Sequence, residues 1–171
     1  MPMNDTLEIN RVMDRNRVKI FFFIFLTVAQ AGTPFDITLC VTGPATMLSS
    51  SQDLIIVGVE LKGIIVSNHE NKVFDNFLYH FLGVSRIIAG QIDARGYSKL
   101  TDLDGDFIFT ETTTFGPAGK PTWKWKFLYG TGKWKGIAGG ADVSAITKRS
   151  PFAEGTYRGC YKIMGTFELP K

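Results

Sequence analysis

Few residues in this chain combine the type and spacing that chemistry requires. Glu60 and Glu111 sit inside runs rich in Ile, Val and Thr. A carboxylate carried into an apolar interior has a raised pKa and can act as a general acid or base; solvent-facing strand positions are the alternative. His80 lies in Phe77-Leu78-Tyr79-His80-Phe81-Leu82, where alternation groups it with Leu78 and Leu82, opposite Phe77, Tyr79 and Phe81. This makes His80 the best candidate for an inward polar group, set against a satisfied core or surface histidine. A slip of one residue would place Tyr79 there instead. His80, Glu60 and Tyr79 form the candidate catalytic set.

Other motifs are weaker. Asp102-Leu103-Asp104-Gly105-Asp106 resembles the start of a calcium loop, but Phe107 stands where its glycine belongs and Thr113 where its terminal Glu belongs. A hairpin turn with solvated acids is the expectation. His69 and His80 have no Cys or carboxylate at zinc-like spacing, so neither a metal nor a cofactor is expected. Nucleophile elbows, phosphate loops and dinucleotide fingerprints are absent. The sharpest pattern is Thr122 to Tyr129, in which Trp123, Trp125, Phe127 and Tyr129 share one face and Lys124 and Lys126 the other. The ring face is the candidate ligand-binding surface, or simply core. Nucleic-acid stacking is rejected, because rings and lysines lie on opposite faces.

The elements that would carry these residues read as strands. Phe35 to Val41 alternates and ends at Gly43-Pro44. Leu54 to Ser67 is an Ile/Val run with internal Gly58 and Gly63, as at barrel corners. Phe77 to Ile92, Ala94 to Leu100, Phe107 to Phe115, Thr122 to Tyr129, Lys133 to Ile137 and Gly155 to Leu169 supply the rest, with Asp104-Gly105 as a turn and Gly139-Gly140 as a break. About eight strands at short spacing, with no helix long enough for a crossover, predict an all-β fold. A single antiparallel barrel is preferred over a sandwich because closure removes exposed edges.

Composition agrees with one globular domain: 171 residues, 44% hydrophobic and 20% charged, with 18 Gly and 14 Phe. The net charge of +3 is small and scattered, which gives nucleic acid little to bind. Before the strands, Arg11, Arg15, Arg17 and Lys19 lead into Ile20 to Val28 and then Ala29-Gln30-Ala31. A basic flank, a short apolar run and a small-x-small exit predict a secretory signal over 1–31, cleaved after Ala31, with the barrel over 32–171. The run is too short for a stable membrane span; a buried core strand or an uncleaved membrane anchor is the alternative. The expected location is periplasmic or extracellular. Cys40 and Cys160 lie near opposite ends of the remaining chain, and closing a barrel brings its first and last strands together. A Cys40–Cys160 disulfide is the expectation, with two buried thiols as the alternative.

Gly130-Thr131-Gly132-Lys133-Trp134-Lys135-Gly136-Ile137-Ala138-Gly139-Gly140 resembles the Gly-Thr-Gly-Lys/Arg-aromatic-x-Gly-x-x-Gly segment of allene oxide cyclase-like and dirigent-like barrels. Exported bacterial proteins of unknown function carry similar segments. The resemblance implies an eight-stranded barrel with a hydrophobic cavity, assembled as a homodimer or homotrimer. No catalytic residue of the cyclases is carried over to this chain, because the resemblance offers no position-by-position match for them. Three readings follow: a barrel that binds a small apolar or aromatic molecule, a cofactor-free isomerase or cyclase using the same cavity, or a structural barrel with a packed core.

Overall fold

A computed structural model describes residues 32–51, 53–147 and 155–171. The predicted secretory segment lies outside the described residues. Eight antiparallel strands close into one barrel in sequence order. They are β1 (Thr33–Ser50), β2 (Leu54–Ser67), β3 (Leu78–Ile88), β4 (Gln91–Thr101), β5 (Phe107–Pro117), β6 (Thr122–Gly130), β7 (Ala138–Ala145) and β8 (Thr156–Glu168). Where the sequence predicts a strand over Lys133 to Ile137, a 3-10 turn, Gly132–Trp134, joins β6 to β7, and the strand lies further on, over Ala138–Ala145. Alternate residues of each strand point inward, so Phe35, Ile37, Leu39 and Val41 of β1 are buried in sequence with polar neighbours between them.

The closing pair is β1 with β8, in unbroken register from Thr33 opposite Phe167 to Pro44 opposite Thr156. Cys40 faces Cys160 in that ladder, and the two form a disulfide on the outer side of the seam.

Two expected strand ends are corrected. β1 runs through Gly43-Pro44 to Ser50 instead of stopping there. Proline is tolerated because its ring replaces one ladder donor only, and Gly43 is required because a Cβ there would lie 1.9 Å from the Glu60 carbonyl oxygen. Likewise Gly139-Gly140 lies inside β7, where close approach to the Thr166 and Trp125 carbonyls leaves no room for side chains.

One end of the barrel is filled. The segment after β2 folds inward and places Phe74, 1% exposed, among Phe35, Phe77, Phe127, Trp134 and Phe167. Phe74 adopts φ 63°, an unfavourable region for a bulky residue, and the burial of its ring against five others holds it there.

Candidate functional site

Toward the other end, where the β1–β2, β3–β4 and β5–β6 hairpins turn, the interior is hollow. A cavity of about 150 Å³ lies between the aromatic plug and those hairpins. An apolar void of that size can hold a single aromatic ring. Space arises from small residues at inward positions: Gly83 and Gly96 face each other across β3 and β4, and the Phe81 ring lies flat over both. A Cβ on Gly96 would sit 2.1 Å from that ring.

The walls are apolar with a few hydroxyls. Trp123 and Trp125 from β6 face Leu61, Val57 and Ile92 across the lumen. Tyr161 packs edge-on against Trp123 with ring centroids 5.2 Å apart, and its hydroxyl hydrogen-bonds that of Tyr157. Thr112 and Thr114 add hydroxyls from β5. Below them is a buried polar knot: Thr110, fully buried, accepts the Trp125 indole N–H and shares a hydrogen bond with Ser98. Tyr79 also lines the cavity, and burial pushes its phenol pKa up, with Tyr157 adding to the rise and Ser98 partly offsetting it. Its hydroxyl therefore stays neutral across the physiological range and acts as a hydrogen-bonding group, not a base.

The Thr110 knot makes a direct prediction. Thr110→Val leaves the Trp125 N–H and the Ser98 hydroxyl without their buried partner and should cost about 2–3 kcal/mol. Thr110→Ser keeps the oxygen and should cost about 1 kcal/mol. Urea unfolding at unchanged m-value reads the difference; equal losses would assign the knot no hydrogen-bonding role.

Two candidate catalytic residues are not in the cavity. His80 and Glu60 point outward, with His80 Nε2 2.9 Å from Glu60 Oε1 and Lys62 3.4 Å from the same oxygen. His80 hydrogen bonding and then Lys62 hold the Glu60 carboxyl below its ordinary range. The cause of the correction is the face choice on β3: Tyr79 and Phe81 turn inward, leaving Leu78 and Leu82 more than half exposed outside. Glu111 is also outward-facing and pairs with Arg95 at 3.4 Å.

The aromatic stripe of β6 is divided. Trp123 and Trp125 line the cavity, whereas Phe127 belongs to the plug. Tyr129 is 56% exposed, outside the barrel. Phe109 pairs with Tyr129 but Thr110 with Phe127, so Leu128 is one extra residue and reverses the alternation. Leu128, standing where the pattern calls for another lysine, is the signal in the sequence.

The Asp102–Asp106 turn is a hairpin turn, with Gly105 at φ 90°, but Asp102 is not solvated. Its carboxylate accepts hydrogen bonds from Trp134 Nε1 and Lys133 Nζ at 2.9 Å and from the backbone N–H groups of Asp104 and Asp106. Burial opposes ionisation, yet the Trp134 and Lys133 donors hold its pKa below the usual carboxylate value. Thr131 and Gly132 complete this clip: Thr131 Oγ1 donates to Asp106 and accepts from the Phe107 N–H, and a Cβ on Gly132 would strike the Asp106 carboxylate. The glycine-rich segment thus serves architecture, tying the β4–β5 turn to the β6–β7 connection. Among the described residues there is no group of three or more His, Cys, Asp or Glu arranged to hold a metal ion.

A closed eight-stranded antiparallel barrel, plugged at one end and hollow toward the other, is the class that these elements define. Its fold is that of dirigent proteins. The chain is similar to a pterocarpan synthase dirigent protein, with 11% identity, a TM-score of 0.52, and coverage of 82% of this chain and 91% of that one. A protein of unknown function of the DUF3224 family from Shewanella oneidensis aligns at 11% identity and a TM-score of 0.48, covering 78% of this chain and 99% of that one. A second pterocarpan synthase dirigent protein aligns at 11% identity and a TM-score of 0.46, covering 81% and 97%. No family model matches the chain, and neither does any curated protein.

Proposed function

We propose that this protein is exported and binds a small, neutral, apolar or aromatic molecule in its barrel cavity. The observation that carries the reading is a cavity lined by aliphatic and aromatic side chains with only hydroxyl groups for polarity. The guanidinium of Arg95, at its rim, is directed to Glu111 on the outer wall. A packed structural barrel would leave no such void. Acid–base catalysis has lost two of its three candidates to the outer surface, and Tyr79 is held neutral, so binding is favoured over isomerase chemistry. The Cys40–Cys160 disulfide fits an oxidising compartment. Charged side chains such as Lys62, Arg86, Asp93 and Lys124 stand on the outer wall among exposed apolar ones such as Ile64, Leu78 and Leu82, and mid-strand charges there are unfavourable in a lipid-embedded barrel.

An uncharged lumen rejects ions, because an unpaired charge moved out of water costs several kcal/mol. p-Cresol, neutral at pH 7, should therefore bind at least about 100-fold more tightly than p-toluenesulfonate, which has the same ring and a permanent charge. Quenching of Trp123 and Trp125 fluorescence reports occupancy. Ala94→Phe, which fills the cavity from β4, should abolish p-cresol binding while the barrel stays folded. Equal affinities for the two probes, or undiminished binding by Ala94→Phe, would sink the proposal.

A further inference from the structure

On the outer face of β8 the side chains run Arg158, Cys160, Lys162, and β1 places Cys40 opposite Cys160 and Thr42 between Lys62 and Arg158. A shallow concavity on this wall is lined by Cys40, Thr42, Lys62, Thr147, Arg158 and Cys160. Lys62 is shared with Glu60 at 3.4 Å, and Lys162 with Asp36 at 3.1 Å. Arg158 meets no carboxylate among the described residues. Among the described residues, the disulfide is thus set in an accessible hollow whose nearby charges are Lys62, Arg158 and Lys162 against Glu60 and Asp36, a net positive surround.

We propose that this hollow is a thiol-exchange site, at which a small thiol carrying a carboxylate or sulfonate docks on Arg158 and Lys62 and reduces the Cys40–Cys160 bond. Its thiolate attacks Cys40 Sγ, since Cys40 is exposed and Cys160 only half-exposed. The S–S bond breaks, and its electron pair leaves on Cys160 Sγ, where Arg158 and Lys162 stabilise the thiolate. A second thiolate attacks the small thiol's sulfur in the mixed disulfide and expels the Cys40 thiolate. Two thiols are oxidised to one small disulfide, the protein disulfide gains two electrons, and the two thiol protons pass to Cys40 and Cys160. The bond lies behind Leu39, Val41 and Tyr161, which line the cavity, so the exchange acts on the cavity wall itself.

The test compares 2-mercaptoethanesulfonate with 2-aminoethanethiol on the oxidised protein, with rates expressed per thiolate. Adducts are trapped by acid and mapped by mass spectrometry. At low ionic strength the sulfonate should react about fivefold faster or more, the effect of the two-unit difference in charge between the thiols acting on one net positive charge at roughly 7 Å in a water-like dielectric. In Lys62→Gln/Arg158→Gln, both exposed positions, the surround changes from net +1 to net −1, and the preference for the sulfonate should disappear or reverse. About 1 M salt should instead bring the two rates within about twofold on the unmodified protein, where the screening length falls to about 3 Å. The trapped adduct should sit on Cys40. Equal rates at low salt, a preference that survives both the substitutions and salt, an adduct on Cys160, or free thiols in unreduced protein would each overturn the proposal.

Discussion

Replacing Cys40 and Cys160 together by alanine is expected to lower the unfolding free energy by about 4–5 kcal/mol, the largest effect of any change considered for this barrel. The bond joins residues 120 apart in sequence, so it confines nearly the whole described chain when the protein unfolds. Chain entropy lost from the unfolded state grows with the logarithm of that separation. The cysteines lie on the outer face of an otherwise continuous ladder, so their removal opens no core cavity and the cost is carried by the unfolded chain. Set against the 5–15 kcal/mol typical of a domain, this is a large share. Denaturant melts of oxidised protein, reduced protein and the alanine pair check it: the last two should coincide, with midpoints well below the first. Oxidised and reduced protein agreeing within about 1 kcal/mol would show that the bond does not form, or that the reduced chain keeps the seam closed while unfolded.

Asp102→Ala is the second large loss, about 3–5 kcal/mol, and it acts on the folded state. One buried carboxylate satisfies Trp134, Lys133 and two backbone N–H groups, so removing it orphans a buried indole and uncouples the clip from the aromatic plug. Asp102→Asn, which keeps the shape and one acceptor, should cost roughly half as much. Lys133→Met should cost under about 1 kcal/mol, because that side chain is half exposed. The pH dependence has a definite sign. The folded-state pKa of Asp102 is depressed, so its contribution is complete above the unfolded value of about 4 and is lost as pH falls through the lower folded value. Asp36 and Glu60, also depressed, add to the same acid limb. The gap between wild type and Asp102→Asn should therefore be constant from about pH 5 to 7 and shrink below about pH 4. A gap independent of pH throughout would mean that the carboxylate's charge contributes nothing.

How far the sequence reached depended on range. Leu54 to Ser67 and the Asp104-Gly105 turn were legible to the residue, because β-branched runs and glycine turns are decided by local conformational preference. The barrel and the Cys40–Cys160 pairing were legible too, since eight strands without crossovers close most simply by joining first to last. Strand faces were not. On β3 both alternating sets are apolar, Tyr79 and Phe81 against Leu78 and Leu82, so periodicity grouped His80 correctly with the leucines but could not tell which set faces inside; for Glu60 the solvent-facing alternative is the one the structure adopts. Interior space decided it, because rings packed over Gly83 and Gly96 fill a lumen that leucines would not. The Leu128 bulge is likewise set by pairing with β5, its only trace in the sequence being a leucine where the pattern calls for a lysine, and it expels Tyr129.

Phe74 and Asp102 show the same limit. Nothing local marks a phenylalanine in a polar loop as the centre of the plug, or one acid of three as buried; each is selected by partners far away in the chain, Phe35, Trp134 and Phe167 for the first and Lys133 and Trp134 for the second. Local sequence determined that this chain makes strands, some of the turns between them, and that they close. The tertiary structure alone decided what faces the lumen, because side-chain burial is settled by the volume and polar partners that non-local strands supply, and those quantities are not encoded in spacing along one strand.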